Sequence, residues 1–82
     1  MARLPRAEAE RHLKAFEHAG WHVARVTGGH YILVKEGVNF HLALPYHRGQ
    51  IVKVGLLKGL IRDAGLTNDE YLALFHGKKR ME

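Results

Sequence analysis

The stretch VTGGHYILVK, residues 26–35, decides the fold, because it places a histidine directly behind two glycines and in front of a run of strand-forming residues. Strands favour β-branched and aromatic residues, and glycine is depleted from them. Gly28 and Gly29 therefore indicate a turn, and His30 is the first residue of the strand that follows it.

Strand composition continues on both sides of this turn. Residues Trp21–Val26 and Tyr31–Leu44 are rich in Val, Leu, Ile, Phe and Tyr, and the second run is interrupted at EGVN. The pattern predicts three short strands in an antiparallel meander. If Glu36-Gly37 is a two-residue hairpin tip, Lys35 pairs with Val38. In that register the core face carries Tyr31, Leu33, Val38, Phe40, Leu42 and Leu44, and the opposite face carries His30, Ile32, Val34, Asn39, His41 and Ala43.

Helical patterns precede and follow the strands. Apolar residues at helical spacing predict a first helix from Pro5 to Ala19 and a second from Val52 to Ala64, each followed by a glycine that can end it. Thr67 and Glu70 form a capping box that begins a short last helix. The order α-β-β-β-α plus this extra C-terminal helix predicts an α+β fold, in which a three-stranded antiparallel sheet has its helices on one face.

Length and composition limit the class of protein. The 82 residues fit a single domain, 1–82, with 76–82 as a frayed basic tail. Cysteine is absent, which excludes disulfides and thiolate metal sites. Thirteen Lys and Arg against eight Asp and Glu give a net charge of +5, which favours an anionic partner. No apolar run approaches the roughly 20 residues of a membrane span, and the N-terminus has no signal-peptide pattern, so we expect a cytoplasmic protein with no membrane partner.

Four motifs in this order resemble the HicA family of toxins. They are AGW after the first helix, GGHYILV at the start of the second strand, LPYH.G after the third strand, and VGLLKGLIRDAGL in the second helix. Each motif alone is weak, but the ordered set covers nearly the whole chain. The resemblance implies a domain with the double-stranded-RNA-binding fold, a ribonuclease activity on messenger RNA, and neutralisation by a HicB-type antitoxin.

The resemblance also implies the catalytic residue. The usual family pattern is Gly-Ser-His with a catalytic histidine, and it matches Gly28, Gly29 and His30, so that Gly29 replaces the serine. The proline and histidine of the later loop are retained as Pro45 and His47.

RNA cleavage needs the chemistry that an imidazole provides. A neutral imidazole can take the proton of a ribose 2′-OH, which then attacks the neighbouring phosphorus and expels the 5′-oxygen. We expect His30 to be the general base or acid, and the two glycines to let the RNA backbone approach closely. From the residues alone, a simple turn with a solvated histidine is the more common outcome, and the family resemblance reverses that preference.

Basic residues around His30 are candidate substrate contacts. The loop after the third strand passes the start of the second strand, which brings His47 and Arg48 near His30. His47 is then either a solvated side chain, a phosphate contact or a second acid–base group. Arg48, Lys53 and Lys58 are either solvated charges or phosphate contacts, and Lys53 is favoured because it begins the second helix.

The remaining signals argue against a metal enzyme. His12 and His18 are six residues apart, so they do not form an i, i+4 ligand pair, and no HExxH motif is present. We expect neither a metal nor another cofactor. Two other functions stay open: a non-catalytic RNA-binding module, which would bind RNA without cleaving it, and a protein-interaction domain that docks through its C-terminal helix.

Overall fold

The computed structural model describes residues 3–77, and within them it contains three helices and one three-stranded sheet. The elements are α1 (Ala9–His18), β1 (His22–Thr27), β2 (His30–Val34), β3 (Leu42–Pro45), α2 (Val54–Asp63) and α3 (Asn68–Phe75). The sheet is antiparallel in the order β1-β2-β3, which confirms the predicted fold class. Residues 78–82 of the predicted frayed tail lie outside the described residues. None of the described helices is long and apolar enough to cross a membrane.

The core lies between the helices and one face of the sheet. Leu42 and Leu44 are buried, whereas Ala43 between them is exposed, as is His30 on the neighbouring strand. Since alternate residues of a strand point to opposite faces, the helices cover only one of them. The largest fully buried side chains, apart from a histidine, are Tyr71, Phe16, Leu33, Leu44, Leu57 and Ile61.

Both long helices begin later than the periodicity predicted. α1 begins at Ala9 instead of Pro5, and α2 begins at Val54 instead of Val52. The reason is a contact between the two preceding segments: the Val52 N–H donates to the Ala7 carbonyl at 3.0 Å, and Glu8 forms an isolated β-bridge with Ile51. Extended backbone that is paired in this way is not available for a helical turn.

The ends of these helices follow the prediction. Gly20 has φ of +100°, and the Trp21 N–H donates to the Phe16 carbonyl, which is the Schellman arrangement. Gly65 and the Leu66 N–H end α2 in the same way. Trp21 and Leu66 are both buried, so each cap also adds an apolar side chain to the core.

The predicted pairing register between β2 and β3 was wrong. The Val38 N–H does donate to the Lys35 carbonyl, so a tight turn forms at Glu36-Gly37. Strand pairing, however, begins only at Leu33 and Leu42, and residues 35–41 form a longer loop. The predicted pairing differs from this one by two residues, which leaves the assignment of faces unchanged.

The longer loop also corrects the predicted faces in detail. Phe40 was expected in the core face of a strand, but it lies in the loop, 48% exposed, with its ring centroid 6.0 Å from that of Trp21. Asn39 and His41 likewise lie outside the strands. Ile32 is on the uncovered face, yet it is only 8% exposed. The contact of Phe40 with Trp21 is one physical reason for the longer loop, since it covers part of a large indole ring.

Candidate active site

The turn between β1 and β2 fixes the position of the candidate catalytic histidine. Thr27 pairs with His30, so Gly28 and Gly29 form a two-residue hairpin tip. Gly29 has φ of +97°, a conformation that side chains other than glycine rarely adopt, whereas Gly28 is not in that region. His30 is consequently the first residue of β2, at the end of the uncovered face.

The loop after β3 brings a second histidine to this turn. Pro45 pairs with His30, and the Tyr46 N–H donates to the Gly29 carbonyl at 2.8 Å, which extends the ladder past the end of β3. A Cβ built on Gly29 would lie 3.6 Å from His47 Cε1. The loop therefore runs beside the glycine turn, as expected, and His47 is next to the residue that precedes His30.

Both imidazoles are available to a substrate. His30 and His47 are exposed, and neither ring makes a hydrogen bond with another residue in the described part of the chain. Arg48 is exposed in the turn closed by the Gln50 N–H and the His47 carbonyl at 2.9 Å. Two exposed imidazoles near one turn are candidate groups for acid–base chemistry on a phosphodiester.

Two further histidines have structural contacts instead. His12 is fully buried, its Nδ1 hydrogen-bonds the hydroxyl of Tyr71, and burial, followed by the charge of Arg11, lowers the pKa of His12 to about 4. Burial also raises the pKa of Tyr71 well above its ordinary value. His18 Nδ1 hydrogen-bonds the Leu74 carbonyl at 3.1 Å. These contacts tie α1 to α3. Among residues 3–77, no three His, Cys, Asp or Glu side chains are grouped closely enough to hold a metal ion.

Comparison with known proteins identifies the family of this chain. A model of the HicA toxins of bacterial toxin–antitoxin systems matches residues 9–66, which is more than half of the 82-residue chain. The chain belongs to the HicA toxin family. Comparisons with curated proteins and with solved structures gave no match. HicA toxins are generally ribonucleases.

The matched range of this HicA toxin contains every candidate site residue. His30, His47, Arg48, Lys53 and Lys58 all lie between residues 9 and 66, as does the glycine turn. The segment before α1 and helix α3 lie outside it. The match therefore confirms the family, and the roles of individual residues rest on the geometry.

The basic residues of the HicA toxin that were predicted to contact substrate do not all lie in one cleft. Lys53 and His47 line a cleft of about 300 Å³ beside Pro45. Lys53 is the N-cap residue of α2, with extended backbone, and no acidic residue lies in the first helical turn that follows. Lys58 is one turn further along α2 and lines a different cleft, together with Arg3 and Arg6.

Sequence reasoning missed three residues of the first cleft. Gln50, Ile51 and Leu56 line it together with His47 and Lys53. Ile51 is 54% exposed and Leu56 is 47% exposed, which is unusual for side chains of their size. Both residues are apolar, yet Ile51 precedes α2 and Leu56 is not among its buried residues, which are Leu57, Leu60 and Ile61. The cleft thus combines exposed apolar side chains with a cation and an imidazole.

The two tyrosines next to the site contact each other. Tyr31 packs against the core, as expected for its face of the sheet, and so does Tyr46; both residues are half-buried and their ring centroids are 5.0 Å apart. Burial, and then the neighbouring Glu10 and Tyr46, raise the pKa of Tyr31. The pair supports the end of the sheet next to the turn at Gly28 and Gly29.

Proposed function

We propose that this HicA toxin is a metal-independent endoribonuclease that cleaves messenger RNA, with His30 as its catalytic residue and residues 1–82 as one HicA-like domain. The observation that carries the proposal is the position of His30. It is the exposed first residue of β2, on the uncovered sheet face, and its turn neighbour Gly29 is in contact range of a second exposed imidazole, that of His47.

The chemistry follows from two imidazoles at one turn. One takes the proton from the ribose 2′-OH, and the 2′-oxygen attacks the adjacent phosphorus. The bond from phosphorus to the 5′-oxygen breaks, and the 5′-oxygen takes a proton from the other imidazole. The products are a 2′,3′-cyclic phosphate and a 5′-hydroxyl end. His30 is one partner in this exchange and His47 is the other, and positioned acid–base catalysis of this kind contributes roughly 10² to 10⁴-fold.

Substrate binding uses the turn and the basic residues beside it. Gly28 and Gly29 have no Cβ, so a sugar-phosphate backbone can approach the turn closely. Arg48, Lys53 and Lys58 are exposed and supply positive charge for phosphates. Exposed apolar side chains in the cleft next to His47 provide a surface for a base.

A HicB-type antitoxin neutralises the toxin most simply by covering His30. The histidine lies on a face that the protein's own helices leave open, so a partner can reach it without unfolding the toxin. The net charge of +5 speeds association with an acidic partner.

The test is cleavage of a labelled RNA, with and without EDTA, beside an all-deoxy strand of the same sequence. We expect wild-type protein to cleave only the RNA, in the presence of EDTA as well, and His30→Ala to lose at least a hundred-fold in rate. His22→Ala is the matched control, because His22 is an exposed histidine of β1 on the same sheet face. It pairs with Val34, which is at the opposite end of β2 from His30. The His22→Ala protein should cleave at the wild-type rate.

Two outcomes would contradict the proposal. A folded His30→Ala protein that cleaves as fast as wild type would exclude His30 as the catalytic residue. RNA binding that weakens steeply with salt, without cleavage by any variant, would instead select the non-catalytic RNA-binding module. Thermal unfolding of each variant shows that a loss of activity is not a loss of fold.

A further inference from the structure

Three clefts of this protein adjoin one another, because neighbouring clefts share lining residues. The cleft of His47 and Lys53 shares Lys53 with a second cleft of about 320 Å³. The second shares Arg6 and Val54 with a third, larger one of about 940 Å³, which contains Lys58 and Arg3. We call this row of three clefts the groove; it runs from the histidine loop, past the start of α2, to the segment before α1.

The groove is positively charged over its whole length. Arg3, Arg6, Lys53 and Lys58 are exposed, and none of them forms an ion pair with another described residue. No Asp or Glu is among the described residues that line the three clefts. Unpaired cations distributed over a row of clefts attract a polyanion, because each can contact a different phosphate of one chain.

The two arginines are held in place by the fold. The side chains next to them in sequence, Leu4 and Ala7, are both 6% exposed and so anchor the segment in the core. The hydrogen bond from Val52 to Ala7 fixes the same segment to the loop before α2. Glu8 is the nearest acidic residue in this segment, and it is exposed but does not line the groove.

We infer that this groove, formed by Arg3, Arg6, Lys53 and Lys58, binds the phosphates of the single-stranded RNA that extends away from the cleavage site. The inference rests on the proposed function and adds to it a binding segment, residues 3–6, that precedes the part of the chain matching the family. A single strand fits better than a duplex, because the cleft at the catalytic end has exposed apolar side chains on which an unpaired base can lie.

The test compares two double variants that remove the same charge. Arg3→Gln/Arg6→Gln removes two groove cations, and Lys14→Gln/Arg62→Gln removes two exposed cations that line none of the three clefts. Binding of a single-stranded oligonucleotide is measured over a range of salt, with His30→Ala as the background so that the RNA stays intact. Cleavage of a long RNA and of a dinucleotide is measured with His30 present.

The groove variant should bind RNA on the order of ten-fold more weakly near 0.1 M salt, and its salt dependence should fall by about 1.4 in log–log slope, at about 0.7 per lost phosphate contact. Its KM for the long RNA should rise while kcat and dinucleotide cleavage stay unchanged. The control variant should keep the slope of the parent protein.

Other results would overturn the inference. If both double variants bind and cleave alike, the groove does not hold RNA, although the proposed nuclease would stand, because wild-type cleavage and its loss in His30→Ala are measured in the same series. If polyglutamate binds more tightly than RNA, and only that binding is lost in the groove variant, the groove belongs to an acidic polypeptide.

Discussion

The two glycines before His30 are adjacent, but alanine should have opposite effects at them. Gly29 has φ of +97°, and Gly28 is outside the positive region. A residue with a Cβ at such a φ costs about 1–3 kcal/mol, from which a reduced entropy of the unfolded chain recovers about 0.4–1 kcal/mol. A Cβ on Gly29 meets only His47 Cε1 at 3.6 Å, an ordinary contact, so backbone strain is the main term. We expect Gly29→Ala to lose about 1–2 kcal/mol of unfolding free energy.

Gly28→Ala is the matched control for this prediction. A Cβ there meets no other atom within 4 Å, and the backbone conformation is open to alanine, so stability should stay equal or rise by up to about 1 kcal/mol. The assay is thermal unfolding of the two variants in one buffer. For a domain of this size about 1 kcal/mol shifts Tm by about 4–8 °C, which separates the two variants clearly. A Gly28→Ala protein destabilised as much as Gly29→Ala would refute the reasoning.

The same position tests the departure from the Gly-Ser-His pattern. Serine at position 29 has the same backbone strain as alanine, so Gly29→Ser should match Gly29→Ala in stability. The rates of RNA cleavage by these two variants then differ only through the hydroxyl group. A faster Gly29→Ser protein would show that the hydroxyl acts on the substrate or on the nearby His47.

Two further predictions concern stability. Burial lowers the pKa of His12 from an ordinary 6.5 to about 4, so the unfolded chain binds a proton more readily than the folded one between these pH values. The free energy of unfolding should therefore be highest above about pH 6.5 and should fall by up to about 3 kcal/mol as the pH drops to 4. Urea unfolding at a series of pH values measures this, and a His12→Gln variant with the same decline would contradict it. Thr67→Ala should lose about 1 kcal/mol in the same assay at neutral pH, because the Thr67 Oγ1 accepts from the Glu70 N–H at 3.0 Å in the capping box of α3; an unchanged midpoint would show that this end of α3 contributes nothing to global stability.

Local signals in the sequence were enough for the elements and their ends. The glycines that end α1 and α2, the capping box of α3 and the turn at Gly28-Gly29 each depend on a few neighbouring residues, and all four are present. The starts of α1 and α2 could not be predicted, because they depend on a contact between residues 7–8 and 51–52 that are far apart in sequence. Helical periodicity carries no information about such a pairing.

The candidate active site was only partly predictable from the sequence. The glycine turn and the order of the strands predicted that His47 lies near His30, because in an antiparallel meander the end of the third strand is opposite the start of the second. The basic groove was not predictable, because it joins the segment before α1 to the start of α2, and Arg3 and Arg6 are far from Lys53 and Lys58 in sequence. Only the tertiary contact places them beside Lys53 and Lys58.

The glycine turn is the point at which stability and activity are coupled in this domain. Because the helices cover one face, β2 contributes Leu33 to the core and His30 to the open face, so His30 itself can be replaced without disturbing the packing. Gly29 is different: its φ closes the hairpin, its carbonyl accepts from the Tyr46 N–H, and a Cβ at this position would contact His47. We therefore expect a change at Gly29 to alter both the pairing of the strands and the position of His47 beside the turn, and a change at His30 to alter only the proposed chemistry. Comparing Tm and cleavage rate across substitutions at these two positions should accordingly give correlated losses at Gly29 and uncorrelated losses at His30.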